Sequence, residues 1–288
     1  MIYIIMALYP EAQPLVDALQ LKRTKTNEIY DSFQDEKQEI TLVLTGVGKV
    51  RAAVAVSHIC TKHQVGAEDF LLHIGSCAGK EVGNLYIGNQ IQDMETGRQY
   101  YPDILFRHNL PERGIVTVER VLEEGLPEVK EQCDGRDSLS EEEMLYDMEA
   151  SGVYQGCVPY LGQHQMAFLK VVSDRGEGGK VTPEKLREFM VQCVPEIVSF
   201  IDGIRGYIAS LQRSKPDDEE MQWREKLYQG IHCSATMRVQ AEQLLHYLWL
   251  SGGDYHTVLE EDFRLGVLPC KDRKEGKKYL GELKKRLL

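Results

Sequence analysis

The chain has 288 residues and carries 45 acidic against 34 basic side chains, a formal net charge of −11. That balance argues against the phosphate backbone of a nucleic acid as its main partner. A hydrophobic fraction of 42% suits a globular protein with a real core, and no apolar run approaches the roughly 20 residues that span a bilayer, so no membrane association is expected.

The first stretch, MIYIIMAL (1–8), is apolar with no basic region before it. It reads as a strand rather than a signal peptide. EAQPLVDALQ (11–20) follows as a helix and EITLVLTG (39–46) as a second strand. Residues 49–63 form a helix with Val50, Ala53, Val54, Ser57 and His58 at helical spacing. FLLHIGS (70–76), LYIGNQIQDM (85–94) and GIVTVERVL (114–122) read as further strands. LYDMEASGVYQGC (145–157) sets Met148, Ala150, Val153 and Cys157 on an apolar helix face, with small residues around Glu149 that let another surface come close. MAFLKVVSD (166–174) is a strand, and 183–212 a long helix. Such alternation argues for an α/β sheet covered by helices, in which ligands sit at the carboxyl ends of strands.

Composition changes at QRSKPDDEEMQW (212–223), a polar stretch with a proline that reads as a linker. Two helix-like segments follow, with Ser234 and Asp254 where N-caps belong and Gly252–Gly253 ending the first of them. The tail from 271 to 288 holds eight basic and three acidic residues, a net +5 that leaves −16 for the rest. It reads as a solvated helix. The expected organisation is therefore a domain over 1–212 and a helical extension over 213–288.

The seven cysteines are scattered and never form a C-x-x-C pair. That pattern fits the reduced thiols of a cytoplasmic protein. The eight histidines show no metal-ligand spacing, so neither a metal nor another cofactor is expected. What does recur is one position type, the end of an apolar strand beside a glycine or a helix start. Glu11, the TGVGK turn (45–49), the GSCAG turn (75–79) and Ser173–Asp174 all occupy it, and Glu149 stands at a helix start. Singly, each has a plain structural explanation: a first-turn helix acid, a strand exit needing positive φ, or a loop cap. Jointly they outline a cleft.

In order and style, YIIMALYPEAQPL, LTGVGKVRAA, HIGSCAG, YDMEASGVYQ and VVSD resemble the nucleoside phosphorylase/nucleosidase family. The closest likeness is to its methylthioadenosine/S-adenosylhomocysteine nucleosidase branch, over roughly residues 1–212. The resemblance implies a three-layer α/β/α fold with a mixed central sheet, to which this chain adds its small helical C-terminal region. It also implies a homo-oligomer, with a nucleoside as the small-molecule partner. Cleavage of an N-glycosidic bond passes through an oxocarbenium-like transition state. Carried over by motif, Glu149 binds the ribose hydroxyls and Met148 packs beside the sugar. Asp174 protonates the purine N7, which asks for a raised pKa. Glu11 activates the attacking water, and Gly46, Ser76, Cys77 and Ser173 complete the substrate-binding set.

Hydrolysis is expected over phosphorolysis. Position 10 is proline, the first turn reads G-V-G-K-V-R, and His73 stands where the phosphorylases of this family carry an arginine; Arg51 lies within the predicted helix. A phosphorylase, and a non-catalytic nucleoside-binding protein on the same fold, remain the alternatives. The turn departs from the family's G-S-A-G-G, and TVERVL (117–122) replaces the segment that normally places an aromatic over the base. The base and the 5′ group are therefore left open.

Overall fold

Alternating residues of one apolar strand face two different layers. In β1 (Ile2–Met6), Ile2, Ile4 and Met6 join one core cluster and Tyr3 and Ile5 another. The computed structural model describes residues 1–24, 29–127, 144–177, 181–213, 217–251 and 253–287. Contacts divide the chain into two compact units, Met1–Ala209 and Ser210–Leu288.

In the first unit, β1 lies between two parallel partners, β4 (Ile40–Leu44) and β5 (Phe70–Ala78). Beyond β4 the sheet is extended by the short antiparallel strands β3 (Ser32–Gln34) and β2 (Lys22–Arg23). On its other side β5 pairs in parallel with β10 (Met166–Asp174). β10 then runs antiparallel to β6 (Leu85–Asp93), which carries a two-residue partner, β7 (Gln99–Tyr100). β6 is parallel to β8 (Glu112–Thr117), β8 to β9 (Leu145–Asp147), and β9 returns to the end of β5 where Tyr146 faces Ala78. The mixed sheet therefore closes on itself through β5, β10, β6, β8 and β9.

Helices cover both faces. α1 (Tyr9–Ala18) and α4 (Pro183–Arg213) contribute Ala12, Leu15, Met190, Ile197 and Ile201 to the first cluster. α2 (Lys49–Lys62) and α3 (Ala150–Cys157) contribute Ala52, Val56, Ala150 and Val153 to the second. α2 and α3 touch because of glycine: a Cβ on Gly152 would lie 2.0 Å from the Lys49 carbonyl oxygen. The small residues after Glu149 thus admit a second surface, and that surface is α2.

Several sequence expectations shift. The strand expected over 114–122 is β8, ending at Thr117. Met148 is no part of a helix face, because β9 occupies 145–147 and α3 begins at Ala150. The linker expected over 212–223 is helical from Asp218. Asp217 caps α5 (Asp218–Gly230), its side chain accepting from the Glu220 amide at 2.8 Å, and the acids that made the stretch look like linker occupy the helix's first turn. Residues 214–216 and Gly252, the first half of the expected Gly-Gly stop, lie outside the described residues, as does Cys133.

The second unit adds α6 (Ala235–Ser251), α7 (His256–Arg264) and α8 (Arg273–Leu287) to α5. Ser234 caps α6 with its hydroxyl on the Met237 amide at 3.3 Å. Asp254 accepts from the Thr257 amide at 3.1 Å. The four helices bury a core of their own that includes Leu227, Ile231, Leu245, Leu259 and Leu283. Among the described residues no helix is long and apolar enough to cross a membrane.

Candidate functional site

β1, β4, β5 and β10 are parallel neighbours, so their carboxyl ends lie along one edge of the sheet. Glu11 stands on the first turn of α1 and is only 2% exposed. One of its oxygens accepts from the Leu8 amide at 3.2 Å, the work of a first-turn helix acid. The other accepts from the Ser76 amide at 3.1 Å and the Ser76 hydroxyl at 2.5 Å, so Glu11 joins the helix end to the GSCAG turn.

Asp174 ends β10 and is half-buried. It faces Ala78 across a bulge in the β5–β10 ladder. Its Oδ2 accepts from the Ser173 hydroxyl at 2.8 Å and its Oδ1 from the Gly176 amide at 2.7 Å. The second contact is the loop-capping role anticipated for this residue. The Ser173 hydroxyl also lies 3.2 Å from the Cys77 carbonyl, which draws Ser173, Cys77 and Asp174 together. Cys77 itself is buried, its thiol 3.7 Å from the Val171 carbonyl.

Glu149 precedes α3 but its side chain does not cap it. That task falls to Asp147, whose Oδ2 accepts from the amides of Glu149 and Ala150 at 3.2 and 2.7 Å. Glu149 is thereby released to point elsewhere, and Oε1 accepts from the Gly48 amide at 2.9 Å. Gly48, with φ +107°, adopts a backbone that only glycine enters readily. Burial, reinforced by the charge of Asp147 and only partly offset by Lys170, pushes the Glu149 carboxyl up to about 7. Gly46 lies on the same turn, its amide on the Ala7 carbonyl at 3.1 Å. Met148 is half-buried beside Glu149.

Sequence reading passed over the charged group beneath these residues. Lys170, in the middle of β10, is fully buried. Its Nζ lies 2.6 Å from Asp147 Oδ2 and 2.8 Å from His73 Nε2. Burial and the Lys170 charge push His73 down to about 4, so the ring is neutral near pH 7. His73 Nδ1 is 3.1 Å from the Ile5 carbonyl, which accepts its proton; Nε2 is left to accept from Lys170. Burial alone would raise Asp147, yet Lys170 and His73 hold it well below the carboxylate range. Thr117 donates its hydroxyl to Asp147 Oδ1 at 2.7 Å. The sequence held a signal for this cluster: a lysine inside an otherwise apolar strand, and an aspartate two residues before Glu149.

Ligand atoms of His73, Asp147 and Glu149 all lie within 4.8 Å of one another, a spacing that could hold a metal ion. Two of the three already face the Lys170 ammonium, which supplies the positive charge a metal would bring. Lys49 of the TGVGK turn is likewise occupied, pairing with Asp93, Glu95 and Glu119 at 2.7–3.0 Å. Arg51 reaches back over the same turn: a Cβ on Gly46 would meet its Nη1 at 3.3 Å. Past β8, the Gly125 amide donates to the Gly176 carbonyl at 2.9 Å, so this loop packs two residues beyond Asp174.

Buried carboxylates paired with hydroxyls and amides at one sheet edge can hold a polyol, take a proton from water and give one to a leaving group. No family model matches the chain, and no curated protein is similar to it in sequence. Solved structures do share its fold. One MTA/SAH nucleosidase is 17% identical with a TM-score of 0.55, the match covering 71% of this chain and 96% of that one. The 5′-methylthioadenosine nucleosidase of Arabidopsis thaliana is 16% identical with a TM-score of 0.54, covering 71% and 96%. Futalosine hydrolase of Helicobacter pylori is 13% identical with a TM-score of 0.51, covering 70% and 97%. The chain therefore has the nucleoside phosphorylase/nucleosidase fold.

Proposed function

We propose that the first unit is a purine nucleosidase that hydrolyses the N-glycosidic bond of an adenosine-type nucleoside, one with a 5′-thio substituent included, and releases free base and sugar. The observation that supports this reading is that Glu11 is held by Ser76 of β5, Glu149 by the Gly48 amide after β4, and Asp174 stands at the end of β10, so each acid lies at the carboxyl end of a parallel strand. In this mechanism the Glu149 carboxylate accepts from the ribose diol and stabilises positive charge developing on the sugar. Asp174 delivers a proton to the purine N7, so the base leaves as a neutral molecule. Glu11, anchored through Ser76, takes the proton of the attacking water. Met148 packs along the sugar, and Gly46, Cys77 and Ser173 line the same edge. A nucleoside is the small-molecule partner, and a cytoplasmic homo-oligomer is the expected form.

Hydrolysis is favoured because a phosphorylase must hold a dianion. His73, at the position where the related phosphorylases carry an arginine, is buried and neutral, and Lys49 and Lys170 are occupied by carboxylates. One observation favours phosphorolysis: the Arg51 guanidinium lies over Gly46. A nucleoside panel incubated with and without inorganic phosphate, with products separated by chromatography, decides. Free ribose without phosphate supports hydrolysis. Strict phosphate dependence with ribose 1-phosphate overturns it, and tight nucleoside binding without any free base leaves a binding protein.

A further inference from the structure

The second unit holds an open pocket of about 330 Å³ between α5 and α6, lined by Met221, Arg224 and Tyr228 from the first helix and Arg238, Glu242 and His246 from the second. Two of the residues from α5 carry buried polar atoms with no protein partner, Arg224 Nη2 and the Tyr228 hydroxyl. Arg224 is 7% exposed and Tyr228 5%. Such atoms are costly to leave unpaired. They stand four residues apart on α5, and so on one helix face.

The rest of the Arg224 surroundings is well partnered. Its Nε donates to Glu220 Oε1 at 2.6 Å, and Glu220, itself 2% exposed, also takes the Tyr255 hydroxyl and His256 Nε2. Burial, with the nearby Glu242, pushes the Tyr228 phenol up to about 12, so it stays a neutral donor. Arg238 lies 4.7 Å over the Tyr228 ring and pairs with Glu225 and Glu242 at 3.2 and 3.3 Å.

The geometry points to a binding site for a small organic carboxylate, whose oxygens accept from Arg224 Nη2 and from the Tyr228 hydroxyl while its carbon part rests against Met221 and the Tyr228 ring. A single negative charge is the better match than a dianion. Arg224 is already paired with Glu220, Arg238 is shared with two glutamates, and Glu242 is itself on the wall. The volume is at the small end of ligand pockets, about 300–1,000 Å³.

Both tryptophans of the chain, Trp223 and Trp249, belong to this unit, so tryptophan emission reports on it and not on the nucleosidase unit. The full chain is titrated with acetate, benzoate and inorganic phosphate at constant ionic strength, followed by emission and calorimetry. We expect saturable binding of a carboxylate with a dissociation constant of about 1 mM or tighter. Tyr228→Phe should weaken it roughly tenfold, the effect of one hydrogen bond to a charged group. Its melting temperature should not fall, because the hydroxyl removed has no protein partner. Arg238→Ala, at a half-exposed side chain, should weaken binding as well. Absence of saturable binding by either carboxylate, binding that both variants leave unchanged, or tighter binding of phosphate would each overturn the assignment.

Discussion

Each unit buries a cation beside a carboxylate, and the two pairs are finished differently. In the first unit Lys170 meets Asp147 and His73, and Asp147 also takes two backbone amides and the Thr117 hydroxyl. In the second, Arg224 meets Glu220 but leaves Nη2 with no protein partner, in a side chain that lines an open pocket. A buried ion pair is tolerable when its remaining hydrogen-bonding capacity is used. Where that capacity is filled, as at Lys170, the pair is framework, and Asp147 takes over the capping of α3 from Glu149, one of the acids proposed to act. Where it is not, as at Arg224, the pair itself is an opening for a ligand.

The sharpest test of that division separates the acid expected to act from the acid that supports. Asp174→Asn cannot donate the proton to the leaving base, so turnover should fall about 10²–10⁴-fold. The amide oxygen of Asn can still accept from the Gly176 amide, and its NH2 group can donate to the Ser173 hydroxyl, whose own proton has the Cys77 carbonyl as acceptor, so unfolding should change little. Near-normal turnover would remove Asp174 from the mechanism. Lys170→Met should do the reverse and act on folding. It leaves Asp147 charged and buried without its cation, at a cost of about 3–5 kcal/mol in denaturant unfolding. Adding Asp147→Asn to Lys170→Met should recover part of that loss, because the two effects couple through one contact. Simple additivity would mean that Lys170 is not held by Asp147.

Glu149 lies between these two kinds of acid, and pH separates its contributions. Its ordinary value of 4.5 is raised to about 7 in the folded chain. Below pH 4.5 the carboxyl is protonated in both states and contributes no difference. Between the two values the unfolded chain releases the proton first, so stability falls as pH rises, and above about 7 the full penalty of about 3 kcal/mol is present. Glu149→Gln has no proton to lose and keeps an oxygen for the Gly48 amide. It should melt higher than the parent at pH 8, with the gap closing toward pH 4, while nucleoside binding weakens. A variant equally or less stable across that range would show that burial does not raise Glu149.

How far the sequence reaches can be seen in the same residues. Apolar runs declared β1, β4, β5 and β10, and the ends of such runs beside a glycine or a helix start marked Glu11, Ser76 and Asp174 as candidates, because local pattern and position suffice to nominate both. The closure of the sheet was not legible. It depends on β9, three residues long, and on a single facing pair, Tyr146 with Ala78, which no period reveals. Lys170 and Asp147 were visible as letters but not as a pair. They lie 23 positions apart, and only the folded strands bring them to 2.6 Å. The stretch 212–223 was misread because a capped, acidic helix start has the composition of a linker.

Arg51 gives the smallest expected effect and the finest distinction. It is the cation over the TGVGK turn that carries the phosphorylase alternative, since His73 is neutral and Lys49 and Lys170 are held by acids. If water is the nucleophile, no anion has to be held there, and Arg51→Ala should change kcat/KM by roughly twofold or less, the range of ordinary surface substitutions. Rates with and without inorganic phosphate should stay equal in parent and variant. If phosphate is the nucleophile, removing the guanidinium should raise the KM for phosphate about tenfold or more, the loss of a charge-assisted contact, while the KM for the nucleoside holds. Measuring both KM values therefore separates a bystander arginine from a phosphate ligand, and the second result would move the first unit from hydrolase to phosphorylase without altering the roles of Glu149 and Asp174.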